Sequence, residues 1–174
     1  MDTPAALNAL ADRSQTLPMT HLAHSVGGHF IGLMHNHDMI TRHAFVSVGT
    51  GFFGGHHIRS IPVELYFWWI LGPILLKKYG RIKTVGGWQG EELPPKLFKT
   101  WRRWSQRRSY FQSELTSYLA PNHYNEISAP IRSWIFTDDP IATPSTGSDL
   151  LKVYPASKNS IMLRSPKDYG LRHL

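Results

Sequence analysis

The chain has 174 residues, 41% of them apolar and 12% aromatic, with a formal charge of +7 and no cysteine. Such a composition excludes a disordered chain and can bury the core of one domain. The missing cysteine excludes disulfides and cysteine-bound zinc. The positive excess is local. Between Lys77 and Arg108 lie ten lysines and arginines, opposed in sequence only by Glu91 and Glu92. Contact with nucleic acid or an anionic surface is therefore open but not demanded.

The opening residues, MDTPAALNALADRSQTLP, have neither a basic start nor an apolar core, so no secretory signal is expected and a cytoplasmic setting is. Thr3 is placed to cap, and Pro4 to open, a helix over PAALNALADR that Leu17-Pro18 ends. MTHLAHS then reads as a short strand ending at Ser25. VGGHFIGLMHNH has helical spacing through Val26, Phe30, Leu33 and Met34. RHAFVSVGTG reads as a buried strand, Ala44 to Val48, running into a glycine turn.

An aromatic-rich insertion follows, over about residues 52–125. Its most apolar run, Ile61 to Leu76, is shorter than the roughly 20 residues a membrane-spanning helix needs. It also holds Pro62, Glu64 and Pro73, so it reads as a buried or interfacial helix. PPKLFKTWRRWSQRR predicts a helix opened by Pro94 and Pro95. Strand returns over Ile131 to Thr137, then a short helix from near Ser145 or Thr146, then a last strand in NSIMLRSP. This alternation predicts an α/β fold with a mostly parallel sheet. Active groups in such sheets gather at the carboxyl ends of strands, and Ser25, Gly49 and Asp139 all follow predicted strands.

A strand that turns at once into a helix at a serine is a nucleophile elbow. Small residues must flank the serine because the two chain directions pass close together, and AHSVG supplies Ala23 and Gly27. The Val26 N–H would be one oxyanion donor, backed by the positive end of the expected helix. An orienting acid is offered by Asp138 and Asp139, although Asp-Asp-Pro is also good turn chemistry. His24 is expected to pack in the elbow rather than act as the base. The pairs in HNHD (His35 to Asp38) and GGHH (Gly54 to His57) suit zinc, but further ligands are not at a recognisable spacing. No metal and no cofactor are expected.

Taken in order, LAHSVGGH, FVSVGTGFF, RSWIFTDDPIATP and SPKDYGLRHL resemble four segments of the α/β-hydrolases of the predicted serine-hydrolase type. These are the elbow, the strand and loop after it, the acid strand, and the approach to the catalytic histidine. The resemblance covers the chain almost end to end and matches the C-terminal part of such a protein. It implies a partial α/β-hydrolase sheet, in one domain over 1–174, with a helical cap inserted at about 52–125. It implies Ser25 as nucleophile, Asp139 ahead of Asp138 as acid, and Val26 as backbone oxyanion donor. The catalytic histidine would fall two positions beyond Leu174, and His173 is the nearest candidate on the chain. The family's first strands would precede Met1, so the Ser25 strand is expected to carry an unpaired apolar edge open to self-association.

The implied activity is hydrolysis of a carboxylic ester or similar acyl bond in a small molecule, through an acyl-enzyme. An apolar cap with a basic flank would also suit contact with lipid or a membrane surface. Two alternatives stand beside it. One is a non-catalytic hydrolase fragment or pseudo-enzyme that acts by binding. The other is a basic binder of nucleic acid or a membrane surface. For KTWRRWSQRRSYF, a solvated helix face with its tryptophans turned inward ranks ahead of stacking on single-stranded nucleic acid.

Overall fold

Four strands form one sheet in the order β1-β2-β3-β4, and every neighbouring pair is parallel. They are β1 (Met19–His24), β2 (Ile40–Val46), β3 (Ile131–Phe136) and β4 (Asn159–Arg164). The computed structural model describes residues 3–15, 17–85 and 90–170. Parallel neighbours cannot be joined by hairpins, so each connection must cross over. Helix α5 (Pro144–Leu151) makes the last crossing, and α1 (Thr3–Ser14) precedes the sheet. Thr143 caps α5, its hydroxyl accepting from the Thr146 N–H, so this helix starts one turn position earlier than its serine and threonine suggest.

The core lies on one face of the sheet. Ala23, Phe45, Ile131 and Ile135 point to that face and are buried, against Leu7 of α1 and Leu150 and Leu151 of α5. Tyr124 and Tyr154 fill the same layer and are fully buried. Each such large side chain contributes about 1.5–3 kcal/mol relative to leaving it in water. The opposite face is different. Leu22, Ala44, Val46, Trp134, Phe136 and Met162 alternate with the core residues, and none of them is buried. Leu22 is 72% exposed. Parallel sheets are usually covered on both faces. Among the described residues, β1 also pairs on one side only.

The connection between β2 and β3 has its own apolar cluster. Helix α2 (Ile61–Tyr66), a π-helical turn (Phe67–Leu71) and α3 (Gly72–Tyr79) run on without a break. They pack on α4 (Pro95–Ser105) through Trp68, Leu71, Leu75 and Phe98. Gly72 is needed at this contact, since a Cβ there would meet the Phe98 ring. Trp101 touches both clusters. Among the described residues, no helix is long and apolar enough to cross a membrane.

The basic stretch finds partners that its own sequence does not contain. Arg103 makes a two-pronged bond to Glu114 at 2.7 and 2.8 Å, which holds the Glu114 carboxyl below its ordinary pKa. Arg108 likewise donates to Asp149 at 3.1 Å, whereas Arg81 pairs within the stretch, with Glu92 at 3.0 Å. On α4, Trp104 is buried and Trp101 half-buried.

One expected element is missing. The residues after Ser25 form short 3-10 turns, Ser25–Gly28 and Ile31–Leu33, in place of a helix. Gly27, Gly28 and Gly32 each weaken a helix by about 1 kcal/mol. Packing then decides: a Cβ at Gly28 would meet Val48, and one at Gly32 would meet the Tyr124 ring. The chain is pressed against the core too closely for a regular helix. The second strand also differs, covering Ile40–Val46 rather than Ala44 to Val48.

Candidate active site

Ser25 follows β1 directly and has φ 52°, a left-handed conformation that a non-glycine residue seldom takes. His24 before it is fully extended, so the chain reverses its course at Ser25. The two small flanks do meet. A Cβ built on Gly27 would lie 3.7 Å from the Ala23 Cβ, in plain van der Waals contact. Ser25 and Val26 are exposed, and the Val26 carbonyl accepts from the His29 N–H at 3.0 Å. The helix expected to back the Val26 N–H is absent, so that donor has no helix dipole behind it.

The turn is held from below by tyrosines distant in sequence. The Tyr154 hydroxyl donates to the Gly28 carbonyl at 2.7 Å. The His29 carbonyl accepts from both Tyr124 and Tyr154, at 2.9 Å each. The His29 side chain reaches sideways, its Nε2–H donating to the Gly49 carbonyl at 2.8 Å. This bond ties the turn after β1 to the loop after β2. Burial pushes the His29 imidazole down to about 4, so the ring is neutral near pH 7. Sequence reasoning missed this latch, and the run AHSVGGH gives no local sign of it.

The parallel register sets His24 beside Val46, and Val46 beside Trp134. The ends of β1, β2 and β3 therefore line up. A cleft of about 480 Å³ runs along them, lined by His24, Ser47, Asp138, Asp139 and Pro140 among others. Ser47 shares with Ser25 a left-handed backbone, φ 50°. Ser25 does not line this cleft, and two strand spacings, roughly 10 Å, separate the end of β1 that carries Ser25 from the end of β3 that leads to Asp139. Asp139 Oδ1 accepts from the backbone N–H groups of Ile141 and Ala142, at 2.9 Å each. This fixes the carboxylate and is also the turn chemistry expected of the segment. Asp138 is exposed and lines the same cleft. His24 does not pack into the elbow as expected; it is exposed and faces this cleft. His173 lies outside the described residues.

A second cavity, about 280 Å³, lies between α2, the π-helical turn and α4. Val63, Phe67, Trp68, Leu71 and Trp101 make it apolar, and Ile141 joins it to the loop that carries Asp139. His56 and Glu64 line it too. His56 Nδ1 meets Glu64 Oε2 at 2.7 Å, and its Nε2 faces the Thr50 carbonyl at 3.2 Å. Glu64 Oε1 and Ser105 Oγ are buried without a partner among the described residues.

No family model matches the sequence, and no curated protein matches it. Solved structures do. A soluble variant of monoglyceride lipase from Saccharomyces cerevisiae superposes on 94% of this chain and 59% of its own, at 13% identity and a TM-score of 0.62. The chain has the α/β-hydrolase fold. A monoacylglycerol lipase from Paleococcus ferrophilus is similar over 94% of this chain and 64% of its own, at 13% identity and a TM-score of 0.49. A puromycin hydrolase is similar over 94% of this chain but 21% of its own, at 11% identity and a TM-score of 0.47. The chain thus spans about three fifths of the yeast lipase. In this α/β-hydrolase sheet, Ser25, Ser47 and Asp139 all stand at the carboxyl ends of parallel strands.

Proposed function

We propose that the chain is a serine hydrolase acting on a carboxylic ester or similar acyl bond of a small molecule. Ser25 is the nucleophile, Asp139 the orienting acid, and the Val26 N–H one oxyanion donor. The observation that carries this reading is the backbone of Ser25. A left-handed serine costs on the order of 1–3 kcal/mol and persists only where its surroundings impose it. Here it sits at the end of β1 in an α/β-hydrolase fold, with the small flanks Ala23 and Gly27 side by side and two buried tyrosines holding the turn.

Ser25 Oγ would attack the acyl carbon while its proton passes to a histidine. The Val26 N–H would bond the oxygen that becomes negative. The leaving alcohol takes the proton, and water then cleaves the acyl-serine. His173 is the candidate base on this chain. Residues of about 52–125 would form the cap, and the apolar cavity beneath Trp68 and Trp101 suits an acyl chain. Val63, Tyr66, Trp69, Ile70 and Ile74 are exposed along that helical run, with Lys77 and Lys78 at its end. Such a surface suits a lipid interface. The open β1 edge, with Leu22 exposed beside it, favours self-association. The proposed setting is cytoplasmic, and the chemistry needs no cofactor.

A second reading, a non-catalytic fragment that binds without turnover, draws on Asp139, because its Oδ1 is engaged by the backbone N–H groups of a turn. One experiment separates the two. The folded chain is treated with a fluorophosphonate probe and read by intact mass, beside Ser25→Ala and His173→Ala. A single adduct lost in Ser25→Ala, and slowed in His173→Ala, is the expected result. A folded chain without an adduct would exclude catalysis by Ser25.

A further inference from the structure

We propose that His37, His123 and Glu126 form a binding site for a divalent transition-metal ion of the zinc class, joining the loop before β2 to the loop before β3. The three side chains come from segments far apart in sequence, which is why HNHD alone offered no third ligand. His123 Nδ1 lies 3.1 Å from Glu126 Oε2, and His37 Nε2 lies 3.8 Å from the same oxygen. One ligand atom from each of the three falls within 4.8 Å of the other two. Tetrahedral zinc with bonds of about 2.0–2.2 Å sets its ligands about 3.3–3.5 Å apart. The two measured edges bracket that value. Closing on an ion therefore needs only small movements, most of them in the half-buried His123 and the exposed Glu126.

The bland explanation is a surface pair: His123 and Glu126 stand three residues apart and would bond each other anyway. It does not account for His37, which brings a second imidazole to the same carboxylate oxygen. Nor does it account for how firmly both loops are held. The His123 N–H donates to the Gly32 carbonyl at 2.7 Å, and the Glu126 N–H to the His123 carbonyl at 2.9 Å. On the other side, the Asn36 amide donates to the Pro4 carbonyl at 3.0 Å and to Asn8 Oδ1 at 2.6 Å. The ligands are thus presented by two braced loops. Two imidazoles and a carboxylate suit zinc, cobalt or nickel, whereas calcium and magnesium prefer oxygen ligands alone. A concave surface lined by His37, Asp38, Thr41 and Glu126 leaves room for a fourth ligand, Asp38 or water.

The site stands at the amino ends of β2 and β3, the opposite end of the sheet from Ser25 and Asp139. Its role is therefore to brace the fold, and it is independent of the hydrolase reading. The test uses the full chain without an affinity tag and Zn²⁺ alone, in competition with a chromophoric chelator of micromolar affinity. The expected result is one Zn²⁺ per chain, weakened by about tenfold or more in each of His37→Gln, His123→Gln and Glu126→Gln. His57→Gln, at an exposed histidine elsewhere, should bind like the native chain. Circular dichroism of each variant checks that it is folded, which matters most for His37, whose side chain is 11% exposed. Zn²⁺ should also raise the melting temperature of the native chain and not that of His123→Gln. No uptake by the native chain, or uptake that survives any one of the three ligand substitutions, would overturn the site.

Discussion

Acid should loosen this fold through His29. The ring is 4% exposed, packed against Phe30, Tyr110 and Phe111, and its Nδ1 has no partner among the described residues. Its Nε2–H is already spent on the Gly49 carbonyl. A proton added at Nδ1 would place an unpaired donor and a charge in an aromatic wall. That is why burial moves the group from 6.5 down to about 4. Because the folded value is the lower one, the unfolded chain binds more protons between the two. The stabilisation is whole above about pH 6.5 and is lost as pH falls towards 4. The full difference is on the order of 3 kcal/mol, of which about 2 kcal/mol is lost between about pH 7.5 and pH 5. His43, also pushed down to about 4 by burial and then by His21 and His37, adds a loss of the same sign. Urea unfolding across this range, on the native chain and on His29→Gln, isolates the His29 share. The native chain should lose about 2 kcal/mol more than the variant does. Parallel losses in the two proteins would refute the argument, for they would mean that His29 titrates alike folded and unfolded.

Two further outcomes follow from the same packing. Tyr154→Phe removes the donor to the Gly28 and His29 carbonyls from a fully buried position. It should cost about 1–3 kcal/mol in urea unfolding, and it should slow the reaction of Ser25 with a fluorophosphonate while leaving the chain folded. Leu22→Lys places a charge on the open face of the edge strand, at a side chain that packs on nothing in the core. Light scattering should show less self-association at unchanged stability, and an unaltered oligomer would remove β1 as the contact.

What could be read from the sequence was what short-range rules govern. Pro94 and Pro95 open α4, whose last helical residue is Ser105, because the missing N–H of proline costs nothing in a first turn. The apolar run of β3 and the small flanks of Ser25 were equally local. What escaped reading depends on partners far along the chain. Arg103 and Arg108 looked unopposed until folding brought Glu114 and Asp149 to them. His37 looked like half a pair until the loop at His123 and Glu126 came alongside.

The failed helix after Ser25 has a different lesson. Its spacing was helical, yet Gly28 and Gly32 stand where a Cβ would run into Val48 and into the Tyr124 ring. The sequence gives up local regularity at this one place so that the chain can dive under Ser25 and be latched by Tyr124, Tyr154 and His29. Local rules that fail while every neighbouring rule holds point to a constraint of another kind. Here that constraint is a serine held at a sharp turn on the end of a parallel strand, while Asp138 and Asp139 line a cleft along the neighbouring strand ends.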